Sequence, residues 1–238
     1  MKIIAIIETV NAKKIYKVGQ TAIRALNGVS IAVEEGEFCC IVGRSGSGKS
    51  TLLNLLAGLE PPTAGQIIIG GQHIEAMNES QLILFRQRNV GFMFQSFNLM
   101  PNMTAVENVS LPLAFRGMSR RERDKRAKTI LKAVGLSTHL EHKPTQMSGG
   151  QQQRVGIARA LAGAPKIIFA DEPTGNLDSK TSEEIMLFMQ DIMKQRKQTF
   201  IMVTHDAAMA AYADTTIHLL DGKVISVEYA KKGVLSYD

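Results

Sequence analysis

Phe38-Cys39-Cys40-Ile41-Val42-Gly43-Arg44-Ser45-Gly46-Ser47-Gly48-Lys49-Ser50 is the stretch that decides how this chain is read. The apolar run Phe38 to Val42 feeds a Gly-x-x-x-x-Gly-Lys-Ser loop, and Thr51-Leu52-Leu53-Asn54-Leu55-Leu56-Ala57 continues as a helix would. Strand, glycine-rich loop and helix start together are the context this motif needs to hold phosphate. Glycines let the backbone curl until several N–H groups face one anion, and the helix N-terminus adds partial positive charge. Lys49 is the candidate to reach the outer phosphates and Ser50 the candidate hydroxyl for Mg²⁺, within a cradle running from Gly43 to Thr51. The flanking strand and helix argue against a merely flexible Gly/Ser linker. The pattern implies a nucleoside triphosphate site.

Bulk composition is that expected of an ordinary soluble globular chain, with 238 residues of which 45% are hydrophobic and 21% charged. A chain this long buries about three quarters of its unfolded surface and needs no disulfide staples. Cys39 and Cys40 are adjacent on one strand and point to opposite faces, so they read as buried thiols in a reducing compartment. The net charge of +6 fits either an anionic surface or a mildly basic protein that binds an anionic nucleotide; the second reading is preferred, with no nucleic acid as partner. No stretch approaches the ~18 uncharged apolar residues of a spanning helix. The run Ile3 to Ile7 is stopped by Glu8 and is too short for a secretory signal. A cytoplasmic location is expected, peripheral to a membrane only through a partner.

Along the chain, short β-type runs (Ile3 to Val10, Ile15 to Val18, Val29 to Val33) alternate with turn signals at Asn11, Gly19, Asn27-Gly28 and Glu35-Gly36. This predicts an antiparallel β-subdomain ahead of the phosphate loop. Gln66 to Ile69 with Gly70-Gly71 reads as a hairpin arm, and the chain turns helical from about Ser80 to Ala162. Ser119-Arg-Arg-Glu122 opens a helix that ends at Gly135. Strands return at Lys166 to Ala170 and Thr199 to Thr204, with a helix around Thr181 to Lys194 between them and a hairpin at Ile217 to Val227. The tail from Lys231 to Asp238 carries no clear signal.

Two further constellations carry chemistry. Ile167-Ile168-Phe169-Ala170 reads as a strand buried on both faces, ending in Asp171 and Glu172 at the carboxyl edge where ligands bind in α/β sheets. Asp171 then suits the Mg²⁺ shell and Glu172 a general base for an attacking water. Met147-Ser148-Gly149-Gly150-Gln151-Gln152-Gln153-Arg154 opens a helix, read as a second anion-binding helix end.

With this last run the chain resembles the ATP-binding cassette ATPases, the nucleotide-binding subunits of ABC transporters, over nearly its whole length. Met147 stands where that family usually has Leu, a volume-conserving exchange. The resemblance implies a P-loop core with parallel sheet over 1–88 and 163–238, an antiparallel β-subdomain, and a helical subdomain over 89–162, all as one ATPase domain. It implies that Tyr16 stacks on adenine, that Gln95 contacts Mg²⁺ and the attacking water, and that His205 touches the γ-phosphate. Asn176-Leu177-Asp178 is similar to the loop that communicates across a dimer, with Asn176 departing from the usual small residue. ATP and Mg²⁺ are the implied ligands. The implied partners are a second copy, whose Ser148, Gly149, Gly150, Gln151 and Asp178 complete each site, and an integral membrane subunit.

Within the transporters, Pro173 to Asp178 and Phe97-Asn98-Leu99 resemble the group serving lipoprotein release and macrolide or peptide export. An importer ATPase for a small solute shares every catalytic motif. A DNA-repair or chromosome-organising ATPase would carry long coiled-coil heptads between the halves of the site, and this chain has none. The apolar segment Ser96 to Met103, with Met93, suits either a groove for a partner's helix or packing inside the helical part. The basic run Arg116 to Lys128 reads as a solvated helix face rather than a headgroup contact, and His73, His139, His142 and His218 as surface or packing residues.

Overall fold

The computed structural model describes residues 5–230 and 233–236. In chain order the strands and helices are β1 (Ala5–Val18), β2 (Thr21–Glu34), β3 (Phe38–Val42), α1 (Lys49–Leu56), β4 (Ala64–Ile69), β5 (Gln72–His73), α2 (Glu79–Asn89), β6 (Val90–Met93), α3 (Ala105–Ala114), α4 (Arg120–Ala133), α5 (Gly149–Ala162), β7 (Ile167–Asp171), α6 (Ser179–Arg196), β8 (Thr199–Thr204), β9 (Thr215–Leu220), β10 (Lys223–Tyr229) and β11 (Gly233–Ser236). They form two compact units, residues 1–83 with 190–238, and residues 84–189.

In the first unit, β3 lies between β8 and β9 and runs parallel to both, an inner strand paired along both edges, and all five of its residues are buried. That burial explains the uninterrupted apolar run Phe38 to Val42. Phe38 meets Phe200 edge to face at 4.8 Å, closing one end of the pair. Cys39 and Cys40 are free and fully buried, and burial pushes the Cys40 thiol up to about 12, leaving an inert thiol. The sheet continues antiparallel through β10 to β11. Thus Gly233–Ser236, in a tail without a strand signal, adds an edge strand, while positions 231, 232, 237 and 238 lie outside the described residues.

A separate antiparallel sheet has the order β2-β1-β4-β5. Here the turn signals at Asn11 and Asn27-Gly28 do not end strands; β1 and β2 each run 14 residues. Asn11 (φ +50°) sits where the pairing slips between Thr9 and Ala12, and Gly28 (φ +89°) on the other strand at the next slip, between Ala12 and Lys13, so the two make adjacent β-bulges. A Cβ at Gly28 would lie 2.7 Å from Asn11 Oδ1, so the second bulge needs the glycine.

In the second unit, β6 pairs with β7 in parallel, and α3, α4 and α5 pack on one another. Strand β6 is embedded in a helical stretch of sequence and is too short to show a period of its own. Because it pairs with β7, residues 163–189 cluster with 84–162, whereas the sequence reading groups them with the core. Helix starts follow their caps. Thr104 and Glu107 form a capping box for α3, and Ser119 Oγ takes the Glu122 N–H while donating to Glu122 Oε2 at 2.6 Å.

Candidate functional site

In the first unit, α1 begins at Gly48 in a left-handed conformation (φ +101°), with no side-chain cap and no acidic residue in its first turn. Its N-terminal amides and positive dipole end therefore face an anion without competition from a carboxylate. Lys49 is 6% exposed, and its Nζ donates to the carbonyls of Gly43 (2.7 Å) and Arg44 (3.0 Å), which seats the ammonium inside the loop. Ser47 Oγ is buried there with no protein partner. A Cβ on Gly43 would fall 2.3 Å from the Leu219 carbonyl oxygen, and one on Gly48 would fall 2.4 Å from that of Ala25. The loop is a wall of donors pressed against β9 and β2, and the donor set fits phosphate.

Val42 at the end of β3 is the register partner of Thr204 at the end of β8. Gly43 and His205 therefore leave neighbouring parallel strands at the same carboxyl edge. Asp206 follows with its N–H on Thr204 Oγ1 and its carboxylate capping Ala208 N–H, which turns the chain sharply after His205. On β1, Tyr16 donates its hydroxyl to Glu60 Oε2 at 2.7 Å. Lys14 Nζ lies 3.2 Å from the same oxygen and 5.2 Å from the Tyr16 ring centroid, so a cation engages the aromatic ring. Burial and then the Glu60 contact push the Tyr16 phenol up, with the Thr51 side chain pulling the other way; that contact ties Tyr16 to the phosphate loop. Burial alone would raise the Glu60 carboxyl, but hydrogen bonds from Tyr16, Asn54 and Lys14 outweigh it and hold it below the usual range.

In the second unit, Met93 on β6 is the register partner of Ala170 on β7. Gln95 and Glu172 each come two residues later, so they leave adjacent strand ends together, with Asp171 closing β7. Glu172 has φ +45°, a left-handed backbone that a non-glycine residue holds only under constraint. The constraints are visible. The Glu172 carbonyl accepts the Gly175 N–H at 3.0 Å, and the amide of Gln153, a side chain 1% exposed, donates to the Pro173 carbonyl at 2.5 Å. Asn176 Nδ2 donates to the Gln95 carbonyl at 2.9 Å, and a Cβ on Gly175 would lie 2.8 Å from Gln95 Nε2. Asp178 accepts from Thr181 N–H (3.0 Å) and Thr181 Oγ1 (2.6 Å), and the Thr181 hydroxyl holds its carboxyl below the usual range.

Helix α5 begins at Ser148, whose Oγ accepts the Gln151 N–H (3.3 Å) while Gln151 Oε1 accepts the Ser148 N–H (2.9 Å). This end is side-chain capped, unlike that of α1, so the two anion sites read from the sequence differ in kind. At α5 the Ser148 hydroxyl, rather than a bare row of amides, stands at the helix end. Gly149 and Gly150 are small because Leu177 and Thr181 pack there: Cβ atoms would lie 3.3 Å from Leu177 Cδ2 and 2.9 Å from Thr181 Cγ2.

Three residues that sequence reasoning passes over act on these loops. Besides Gln153, Arg159 donates to the carbonyls of Asn98 (2.6 Å) and Phe97 (2.8 Å), and burial pushes its guanidinium down. Buried Asn108 binds Met100 N–H and the carbonyls of Met100, Met103 and Thr104. The signal available for Gln153 and Asn108 is a polar residue on an otherwise apolar helix face. Met93 is 1% exposed and belongs to the core, not to a partner groove. The candidate Mg²⁺ donors Ser50, Gln95 and Asp171 are all hard oxygens, and no group of three or more His, Cys, Asp or Glu converges among the described residues. Each donor is of the ligand type that Mg²⁺ takes alongside substrate phosphates.

Known proteins resemble this chain over most of its length. A family profile described as ABC transporter matches residues 26–175. An uncharacterized ABC transporter ATP-binding protein of Thermotoga maritima is 46% identical over 98% of this chain and 98% of its own length. The lipoprotein-releasing system ATP-binding protein LolD of Geobacter metallireducens is 42% identical over 93% of this chain and 99% of its own. A dimeric, post-hydrolysis structure of the ATP-binding cassette MJ0796 bound to ADP and Pi aligns at a TM-score of 0.87 and 45% identity, covering 94% of this chain and 99% of that one. Loop geometry and near full-length identity thus converge, and the chain belongs to the ABC transporter family as one of its ATP-binding, ATP-hydrolysing cassettes.

Proposed function

We propose that this cassette hydrolyses Mg²⁺-ATP as a homodimer and so drives an integral membrane partner of the export or extraction type. The observation that carries the hydrolytic part is the placement of Gln95 and Glu172 at adjacent strand ends, with Glu172 held in a strained backbone conformation. The loop amides from Gly43 to Thr51 and the Lys49 ammonium hold the phosphates, and Tyr16 stacks on the base. Ser50, Gln95 and Asp171 are the oxygen donors that would hold Mg²⁺, and the ion would supply neutralisation of phosphate charge. Glu172 takes the proton of the attacking water, and His205 donates to the γ-phosphate. Ser148, Gly149, Gly150, Gln151 and Asp178 address the nucleotide held by the second copy.

Each γ-phosphate is then contacted from both protomers only in the closed pair, so ATP favours closure and hydrolysis releases it. The dimeric MJ0796 structure supports this reading, and the match to LolD supports a lipoprotein, macrolide or peptide taken from a membrane over an imported solute. No helix among the described residues is long and apolar enough to cross a membrane. We place the chain on the cytoplasmic face, held by its partner. A groove of about 270 Å³ lined by Phe92, Phe94, Pro112, Phe115 and Arg159 is the docking surface we assign to that partner.

Glu172→Gln tests the mechanism. ATP binding should persist and the dimer should become long-lived, while turnover falls by about 10² or more. Wild-type turnover in that variant, measured as phosphate release, would remove Glu172 from the proposed role.

A further inference from the structure

His139 joins the signature helix through a relay that leaves it one tautomer. Thr138 Oγ1 lies 3.0 Å from His139 Nδ1, and His139 Nε2 lies 3.1 Å from Gln151 Nε2. The Gln151 amide has its orientation decided at the other end, because Oε1 takes the Ser148 backbone N–H. A backbone N–H can only donate, so the amide oxygen faces Ser148 and the NH₂ group faces His139. Two donors cannot bond each other. His139 Nε2 must therefore present its lone pair, the ring proton must sit on Nδ1, and Nδ1–H must donate to Thr138 Oγ1. The tautomer is inferred from this chain of donors and acceptors.

We propose that His139, held as the neutral Nδ1–H tautomer, is a positioning residue for the ATPase reaction: it fixes the Gln151 amide and, through the reciprocal cap, the Ser148 hydroxyl. The Ser148 Oγ already accepts the Gln151 N–H, so its own proton is the one directed at the nucleotide. Without an acceptor at position 139 the Gln151 side chain can turn over, the Ser148 N–H loses its partner, and the cap loosens. Helix α5 itself stays, since its body is buried through Val155, Ile157, Ala158 and Leu161. The proposal rests on the assignment of Ser148 to nucleotide contact across the dimer. His139 touches no reacting atom.

The test uses the full chain and three variants. Nitrogen-detected imidazole spectra of the wild-type protein should show His139 protonated on Nδ1 and not on Nε2; an Nε2–H or doubly protonated ring in the folded protein overturns the proposal. His139→Leu, which removes the acceptor, should lower kcat by about fivefold, the scale of one lost hydrogen bond, with ATP affinity of the isolated protomer unchanged. His139→Gln, which restores an acceptor oxygen, should recover most of that loss. Equal loss of nucleotide affinity and kcat in His139→Leu, or no recovery in His139→Gln, marks a merely structural residue and overturns the proposal. Ser148→Ala separates the two levels. If Ser148→Ala abolishes turnover and His139→Leu does not change it, only the His139 proposal falls. If Ser148→Ala turns over normally, the dimer reading falls and the His139 proposal with it.

Discussion

A side chain has no room at Gly43, where a Cβ would lie 2.3 Å from the Leu219 carbonyl oxygen and 2.5 Å from Ser47 Oγ. Both obstacles are backbone or buried atoms, so the loop itself must move. At Gly46 nothing lies within 4 Å of a Cβ, and only its φ of +79° resists substitution. The two sites therefore separate a steric from a conformational demand. Gly43→Ala should cost at least tenfold in ATP affinity, whereas Gly46→Ala should cost less than about fivefold, because its ~1 kcal/mol left-handed penalty is borne by the loop with or without nucleotide. Isothermal titration of both variants checks the contrast, and equal affinities would show that the loop tolerates displacement. At this scale the motif residues, Lys49, Ser50, Asp171, Glu172 and Ser148, are legible because each sits in a contiguous pattern. Gln153, Arg159 and His139 are not, since each acts on a carbonyl or amide distant in sequence.

Element boundaries follow local chemistry more closely than element pairings do. Helices α3, α4 and α5 begin at Thr104, Ser119 and Ser148, each with its side chain on the N–H three residues on. Strand β6 is legible only through its partner β7, and the bulges at Asn11 and Gly28 only through the pairing of β1 with β2. The segment after Gln95 is another case. Phe97 (φ +59°) and Asn98 (φ +47°) are both left-handed, and Arg159 on α5 spans their two carbonyls. Each charged hydrogen bond is worth about 1.5–3 kcal/mol, enough to hold a strained turn. Arg159→Met should therefore speed amide exchange at residues 97–99 by about tenfold or more, with nucleotide binding to the phosphate loop unaltered. Hydrogen exchange by mass spectrometry reads this directly, and unchanged protection would assign the turn to its own backbone bonds, from Phe97 N–H to the Phe94 carbonyl and from Asn98 N–H to the Ser96 carbonyl.

At the scale of the whole molecule, the docking surface proposed above can be tested at its exposed apolar residues. Phe115 is 69% exposed beside the groove in the second unit, and Met100 is 44% exposed. Phe115→Asp combined with Met100→Asp should abolish stimulation of turnover by the membrane partner while leaving basal ATPase within about twofold, since surface changes away from buried groups cost little. Stimulation that survives in reconstituted vesicles would move the docking surface elsewhere. Sequence alone determined the phosphate-loop motif, the acidic strand end, the helix starts at Ser119 and Ser148 and the family, because each is carried by neighbours within a dozen residues whose chemistry is local. Tertiary structure decided that Gly43 leaves beside His205, that Gln95 leaves beside Glu172, and that Thr138, His139, Gln151 and Ser148 form one relay. Those meetings come from strand register and helix packing between residues far apart in the chain, and no local pattern of side chains encodes them.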